Sequence, residues 1–179
     1  MVNIQLPQTN SEMLVPPVNF SLVCRGIYRG SYPNVRNHSF LKSLGLKSIL
    51  FLCPEDYSKS GQDFIESNGI RLIRVPMEGN KEPFKIIPDE LMDRAMQQLA
   101  DTRNHPIYVH CNKGKHRTGS VCGCFRKLQQ WTLTSIFEEY RRFAGAKARQ
   151  LDEQYIELYR PPVASLHHEY LPEVLRDLE

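Results

Sequence analysis

Apolar residues along the chain fall into two spacings, alternating every second position or recurring every third and fourth, and the switches between them outline the elements. Phe20 to Cys24 and Gly26 to Arg29 read as two short strands joined by a turn at Arg25-Gly26. Asn37 is placed to cap a short helix in which Phe40, Leu41 and Leu44 share a face, and Gly45 stops it. Lys47 to Cys53, with the continuous apolar run Ile49 to Cys53, has the look of a buried strand. Ser60 to Asn68 then predicts a helix closed by Gly69, and Ile70 to Val75 a strand of alternating apolar and basic residues. Pro88 suits the first turn of a helix reaching Leu99, with Leu91, Ala95, Met96 and Leu99 as its apolar stripe.

The last strand expected is Pro106 to His110, followed by a helix from Thr118 to Trp131 and two more, Ser135 to Ala144 and Leu151 to Tyr159. Pro161-Pro162 ends the last of these. Strands alternating with helices, then a helical final third, imply an α/β fold with a central, mainly parallel sheet flanked by helices. Residues 1–15 carry no sustained period and read as a loosely ordered lead-in to a domain spanning 16–160. Residues 161–179 form a tail in which Leu171, Val174 and Leu175 have the spacing of a short docked helix.

Composition narrows the class. At 179 residues with 41% hydrophobic and 24% charged positions, the chain is long enough for one well-filled core. No apolar run approaches the length of a membrane span, and residues 1–15 lack a basic start followed by an apolar stretch, so no secretory signal is expected. Five cysteines at irregular spacings argue against a disulfide framework and for a reducing, cytoplasmic setting. No Cys-x-x-Cys pair suggests zinc, and no metal or cofactor is called for. A net charge of +3 is too small to suggest nucleic-acid binding.

The strand ending at His110 runs directly into Cys111-Asn112-Lys113-Gly114-Lys115-His116-Arg117 and then Thr118-Gly119 at a helix start. A loop between a strand end and a helix N-terminus aims successive backbone N–H groups at one point, and the helix dipole adds positive potential there. Gly114 lets the loop turn where a side chain would clash, and Arg117 offers a planar fork for two phosphate oxygens. Such surroundings favour the thiolate of Cys111, the form that acts as a nucleophile. His110 is expected to support the cysteine by hydrogen bonding, and Thr118 to offer its hydroxyl to the sulfur. The chemistry expected is in-line attack by Cys111 on phosphorus and hydrolysis of a phosphocysteine, with no metal required.

The run His110 to Gly119 resembles the Cys-x5-Arg loop of the protein tyrosine and dual-specificity phosphatases. Together with Glu78-Gly-Asn-Lys-Glu-Pro-Phe84, Arg126-Lys-Leu-Gln-Gln-Trp131, Glu139-Tyr-Arg-Arg-Phe-Ala144 and Lys147-Ala-Arg149, it is similar to the plant and fungal atypical dual-specificity phosphatases over about Pro16 to Tyr159. That resemblance implies a phosphatase-like fold for residues 16–160 and hydrolysis of the β-phosphate of 5-diphosphoinositol polyphosphates. A lipid phosphoinositide or a phosphotyrosine or other phosphoprotein remains the alternative substrate. The loop itself agrees with a polyanion, because Lys113, Lys115 and Arg117 with the titratable His116 exceed what one phosphate needs. Lys81, Lys147 and Arg149 are expected to extend the positive surface, whereas Arg141 and Arg142 fit a solvated helix face equally well.

Related phosphatases place an aspartic acid about 30 residues before the cysteine to protonate the leaving oxygen. This chain has no Asp there. Glu82, 29 residues ahead of Cys111, is the first candidate for the acid, Glu78 and Asp152 are weaker ones, and a structural ion pair would explain Glu82 as well. A diphosphate needs less help than a monoester, because its leaving group is a phosphate with a second pKa of about 6. Two further classes remain open on residues alone: a phosphate-binding module without catalysis, and a sulfurtransferase, which also sets a cysteine loop between strand and helix.

Overall fold

The computed structural model describes residues 13–81, 85–176; the lead-in expected over 1–15 lies mostly outside them. Five strands form one sheet in the order β1-β2-β5-β3-β4: β1 Ser21–Cys24, β2 Ile27–Ser31, β3 Ser48–Phe51, β4 Arg71–Arg74 and β5 Ile107–Cys111. Only the β1–β2 hairpin is antiparallel. β5 lies at the centre, with Gly30 of β2 and Phe51 of β3 opposite His110. All five of its residues are buried, which is why its sequence is nearly continuous in apolar character.

Among the described residues six α-helices connect and cover the sheet: α1 His38–Ser43, α2 Lys59–Ser67, α3 Asp89–Ala100, α4 His116–Leu128, α5 Leu133–Ala144 and α6 Gln150–Leu158. Right-handed crossovers from β2 to β3 and from β3 to β4 run the same way across the sheet, so α1 and α2 share one face. His38 of α1 accordingly stacks on Phe64 of α2, with ring centroids 4.2 Å apart. The return from β4 to β5 reverses direction and sends α3 to the other face, where it packs with α4, itself in contact with α5 and α6. Arg126 of α4 binds Glu139 of α5 through two hydrogen bonds, and its guanidinium lies 4.0 Å from the Trp131 ring centroid.

Several boundaries move from the sequence expectation. Pro88 stands just ahead of α3 as its cap position, its carbonyl accepting from Leu91 and Met92. Helix α4 begins two residues earlier than expected, so His116 and Arg117 belong to its first turn; it ends at Leu128, and Gln130 takes a left-handed φ of 58° before Trp131. The described part of the tail is three separate 3-10 turns, Val163–Ser165, His168–Tyr170 and Glu173–Leu175, because Pro161, Pro162 and Pro172 withhold N–H donors. Leu166, Leu171 and Leu175 are nevertheless buried in the common core, while Val174 faces outward. No helix among the described residues is long and apolar enough to cross a membrane.

Candidate active site

The loop from Cys111 to Arg117 leaves β5 at the carboxyl end of the parallel strands and enters α4, where an α/β sheet opens its crevice. Its curvature depends on Gly114, which holds φ at 65° with its α-carbon against the Gly30 carbonyl of β2. A Cβ there would lie 2.5 Å from Gly30 C and O and 2.8 Å from Ser31 N, all backbone atoms. From beneath, Arg29 of β2 donates Nη2–H to the Gly114 carbonyl at 3.0 Å, while its guanidinium carbon sits 3.8 Å from the Phe143 ring centroid. Arg29 is 1% exposed and makes no ion pair among the described residues. Sequence reading passed over it, since an arginine in a short alternating strand looks like a solvent-facing position.

Cys111 itself is 3% exposed, at the last position of β5. The neighbouring Cys53 is buried and donates to Asn112 Oδ1 at 3.3 Å; burial pushes its thiol up to about 12 against the lowering charge of Arg117. Cys122 and Cys124 are likewise raised by burial, as expected of structural thiols. His110 bonds to the Tyr57 hydroxyl at 3.1 Å and through Nδ1 to the Cys111 carbonyl at 3.4 Å, and complete burial pushes its pKa down to about 3. It is therefore a neutral brace on the Cys111 backbone, where a bond to the cysteine generally had been expected. Thr118 follows in the first turn of α4, fully buried, and its Oγ1 has no hydrogen-bond partner among the described residues.

Arg117 donates to the Met77 carbonyl at 3.3 Å and lies under the loop that follows β4. Gly79, at φ 87°, is so close that a Cβ there would meet Arg117 Cγ at 3.2 Å. The same loop is clamped by Asp152, a buried carboxylate on α6 that accepts from Asn80 Nδ2 at 2.9 Å and from the Tyr140 hydroxyl at 2.6 Å. Asn80 in turn accepts from Ile87 N at 2.8 Å through Oδ1 and from Arg149 Nη1 at 3.1 Å through its carbonyl. With both oxygens engaged away from solvent, Asp152 holds the loop and is unsuited to the acid role considered for it. Glu78 is exposed and paired with Lys85 at 2.5 Å, whose hydrogen bond holds its carboxyl below the usual range. Glu82 lies outside the described residues.

Lys81 and Arg149 come together, lining one cavity of about 420 Å3 with Asn80, Gln150 and Leu151. Lys113 is exposed at the loop's edge, with its carbonyl accepting from Asn19 Nδ2 at 2.8 Å. Lys115 donates to the Ala144 carbonyl at 3.1 Å and His116 Nε2 bonds the Lys147 carbonyl at 2.6 Å, so both loop residues tie down the α5–α6 connection. Burial holds His116 below the ordinary imidazole range. Lys147 contributes that carbonyl while its side chain is exposed; Arg141 pairs with Glu153 at 2.6 Å on the outer face. Among the described residues no group of acidic, histidine and cysteine side chains is arranged to hold a metal ion.

The sequence that builds this site, residues 14–174, matches the tyrosine phosphatase family. The chain belongs to that family. This phosphatase is 49% identical over 156 residues to the inositol diphosphatase DSP1 of Oryza sativa subsp. japonica, covering 87% of this chain and 69% of that protein. It is 54% identical over 150 residues to the inositol diphosphatase SIW14 of Saccharomyces cerevisiae, covering 83% of this chain and about half, 53%, of the yeast protein. The solved core catalytic domain of the PP-IP phosphatase SIW14 from S. cerevisiae, in complex with citrate, superposes with a TM-score of 0.78 at 50% identity, covering 83% of this chain and 89% of that one. Family membership and the loop make the chain a phosphate-ester and anhydride hydrolase of the Cys-x5-Arg kind, which sets aside the sulfurtransferase and binding-module readings.

Proposed function

We propose that this phosphatase removes the β-phosphate of a diphosphoinositol polyphosphate of the 5-diphospho type through a phosphocysteine on Cys111. The observation that carries this reading is the cavity beside the loop, walled by Lys81 and Arg149 and, among the described residues, by no aromatic ring. Two cations there suit further phosphates on a polyol, whereas a phosphotyrosine would draw on a ring-lined slot. Relatives about half identical to this chain carry the name inositol diphosphatase, which supports the same substrate class.

Cys111 Sγ attacks the terminal phosphorus in line, the loop amides and Arg117 hold the equatorial oxygens, and the inositol-bound phosphate departs. The backbone of Asn112, Lys113, Gly114 and Lys115 forms the cradle; an ammonium has three donors, and Lys115 spends one on Ala144. Thr118 Oγ1, buried and bonded to nothing among the described residues, is left free to donate to the sulfur once the phosphocysteine has formed and to assist its release when water attacks. His116 positions Lys147 and, through it, the connection to Arg149. Glu82 is the residue to protonate the leaving phosphate, on its spacing of 29 residues from Cys111. Five free thiols fit a reducing, cytoplasmic location.

Phosphate release from a panel of diphosphoinositols, inositol hexakisphosphate, phosphoinositides and phosphotyrosyl peptides tests the substrate. Selectivity for the diphosphates is expected; preference for the peptides or lipids would overturn it.

A further inference from the structure

On the opposite flank of the loop from Lys81 and Arg149 lies a second cavity of about 420 Å3. Asn112 and Lys113 wall it on the loop side, and Asn34, Arg36 and Asn37 on the other. The short turn bearing Arg36 is tightly made. Asn34 Oδ1 accepts from Arg36 N at 2.9 Å, Asn37 Oδ1 accepts from Asn34 N at 2.9 Å, and Asn37 Nδ2 donates to the Val15 carbonyl at 3.1 Å. The two walls are joined where Tyr32 N donates to the Asn112 carbonyl at 3.2 Å. The backbone at Arg36 is thus fixed relative to the phosphate loop, and neither Arg36 nor Lys113 makes an ion pair among the described residues. Among the described residues no acidic side chain lines the cavity.

Two like charges held across one opening repel, and an anion between them removes that cost while gaining charge-assisted hydrogen bonds. We propose that this cavity is a second anion subsite, with Arg36 and Lys113 holding a phosphate of the substrate other than the one transferred. Its ligand class is a ring phosphate of an inositol polyphosphate. The proposal rests on the polyphosphate reading above and extends it: the reacting phosphate sits in the loop, and the remaining phosphates of the ring are gripped on both flanks, by Lys81 with Arg149 and by Arg36 with Lys113. Sequence reading had no cue for Arg36, which lies 75 residues from the cysteine in a polar turn.

The test compares inhibition of aryl phosphate hydrolysis by inositol hexakisphosphate with inhibition by orthophosphate, in the unaltered protein and in Arg36→Glu, Arg36→Lys and Lys113→Ala. Orthophosphate fills only the loop, so the ratio of the two inhibition constants reports the subsite alone. Arg36→Glu is expected to raise that ratio about tenfold, Lys113→Ala to raise it severalfold and Arg36→Lys to hold it near the original. A ratio unmoved in Arg36→Glu, or a proportional rise in both constants, overturns the subsite. Diphosphoinositol turnover, measured alongside, separates the two readings. A shifted ratio in a protein that does not turn over diphosphoinositols keeps the subsite and refutes the proposed function, whereas turnover with an unmoved ratio refutes the subsite alone.

Discussion

Replacing Gly114 by alanine adds one methyl group at the point where the phosphate loop touches the sheet. Two costs follow from the geometry. The residue holds φ at 65°, a left-handed conformation that costs a side-chain-bearing residue roughly 1–2 kcal/mol. The new Cβ also lies 2.5 Å from the carbonyl carbon and oxygen of Gly30, and no side-chain rotation relieves a collision with backbone. Overpacking of that kind costs about 1–3 kcal/mol. Together they remove about 2–5 kcal/mol from a domain whose total stability is on the order of 5–15 kcal/mol. The strain is relieved by lifting the loop from β2, which breaks the bond from Arg29 to the Gly114 carbonyl and misplaces the amides around the phosphate. A displacement of about 1 Å costs on the order of 100-fold in rate. Urea denaturation and turnover of an aryl phosphate measure the two effects. Native-like stability and activity in Gly114→Ala would refute the claim that contact with Gly30 sets the shape of the loop.

Three further outcomes are expected. Arg29→Met removes a buried cation that has no acidic partner, so unfolding free energy should change by less than about 1 kcal/mol while kcat falls at least about tenfold; unchanged kcat would show that the loop does not use this guanidinium. Asp152→Asn sets an amide against Asn80 Nδ2 and should cost about 2–4 kcal/mol by denaturant unfolding, with a raised KM for inositol polyphosphates as the Asn80 loop and Arg149 loosen; wild-type stability would contradict the clamp. Glu82→Gln should slow a phosphate monoester far more than a diphosphoinositol, because an alkoxide leaving group depends on a proton far more than a phosphate does; equal large losses on both would count against that assignment.

The elements nearest the chemistry were legible because their signals are local. The apolar run before Cys111, the glycine at the centre of the loop and the stripe of α4 each reflect a single stretch of chain, and the structure places β5, the turn at Gly114 and α4 accordingly. What escaped reading depends on residues far apart in sequence. The strand order, with β5 between β2 and β3, arises from crossover packing that no window of the chain contains. Arg29 acquires its role only when β2 pairs with β5, bringing it beneath Gly114. Asp152 was weighed as an acid on residue type, but its burial beside Asn80 and Tyr140 turns it into a brace. In the tail, leucines at helical spacing misled because the flanking prolines cut the segment into separate 3-10 turns, leaving the same leucines buried by a different backbone.

Rapid acid quenching of the protein during turnover of a diphosphoinositol, followed by mass spectrometry of the peptide bearing residue 111, looks directly for the transferred group. A phosphoryl adduct on the Cys111 sulfur is predicted, with both adduct and turnover abolished in Cys111→Ser. Sustained turnover by Cys111→Ser, or transfer to any other residue, would contradict it.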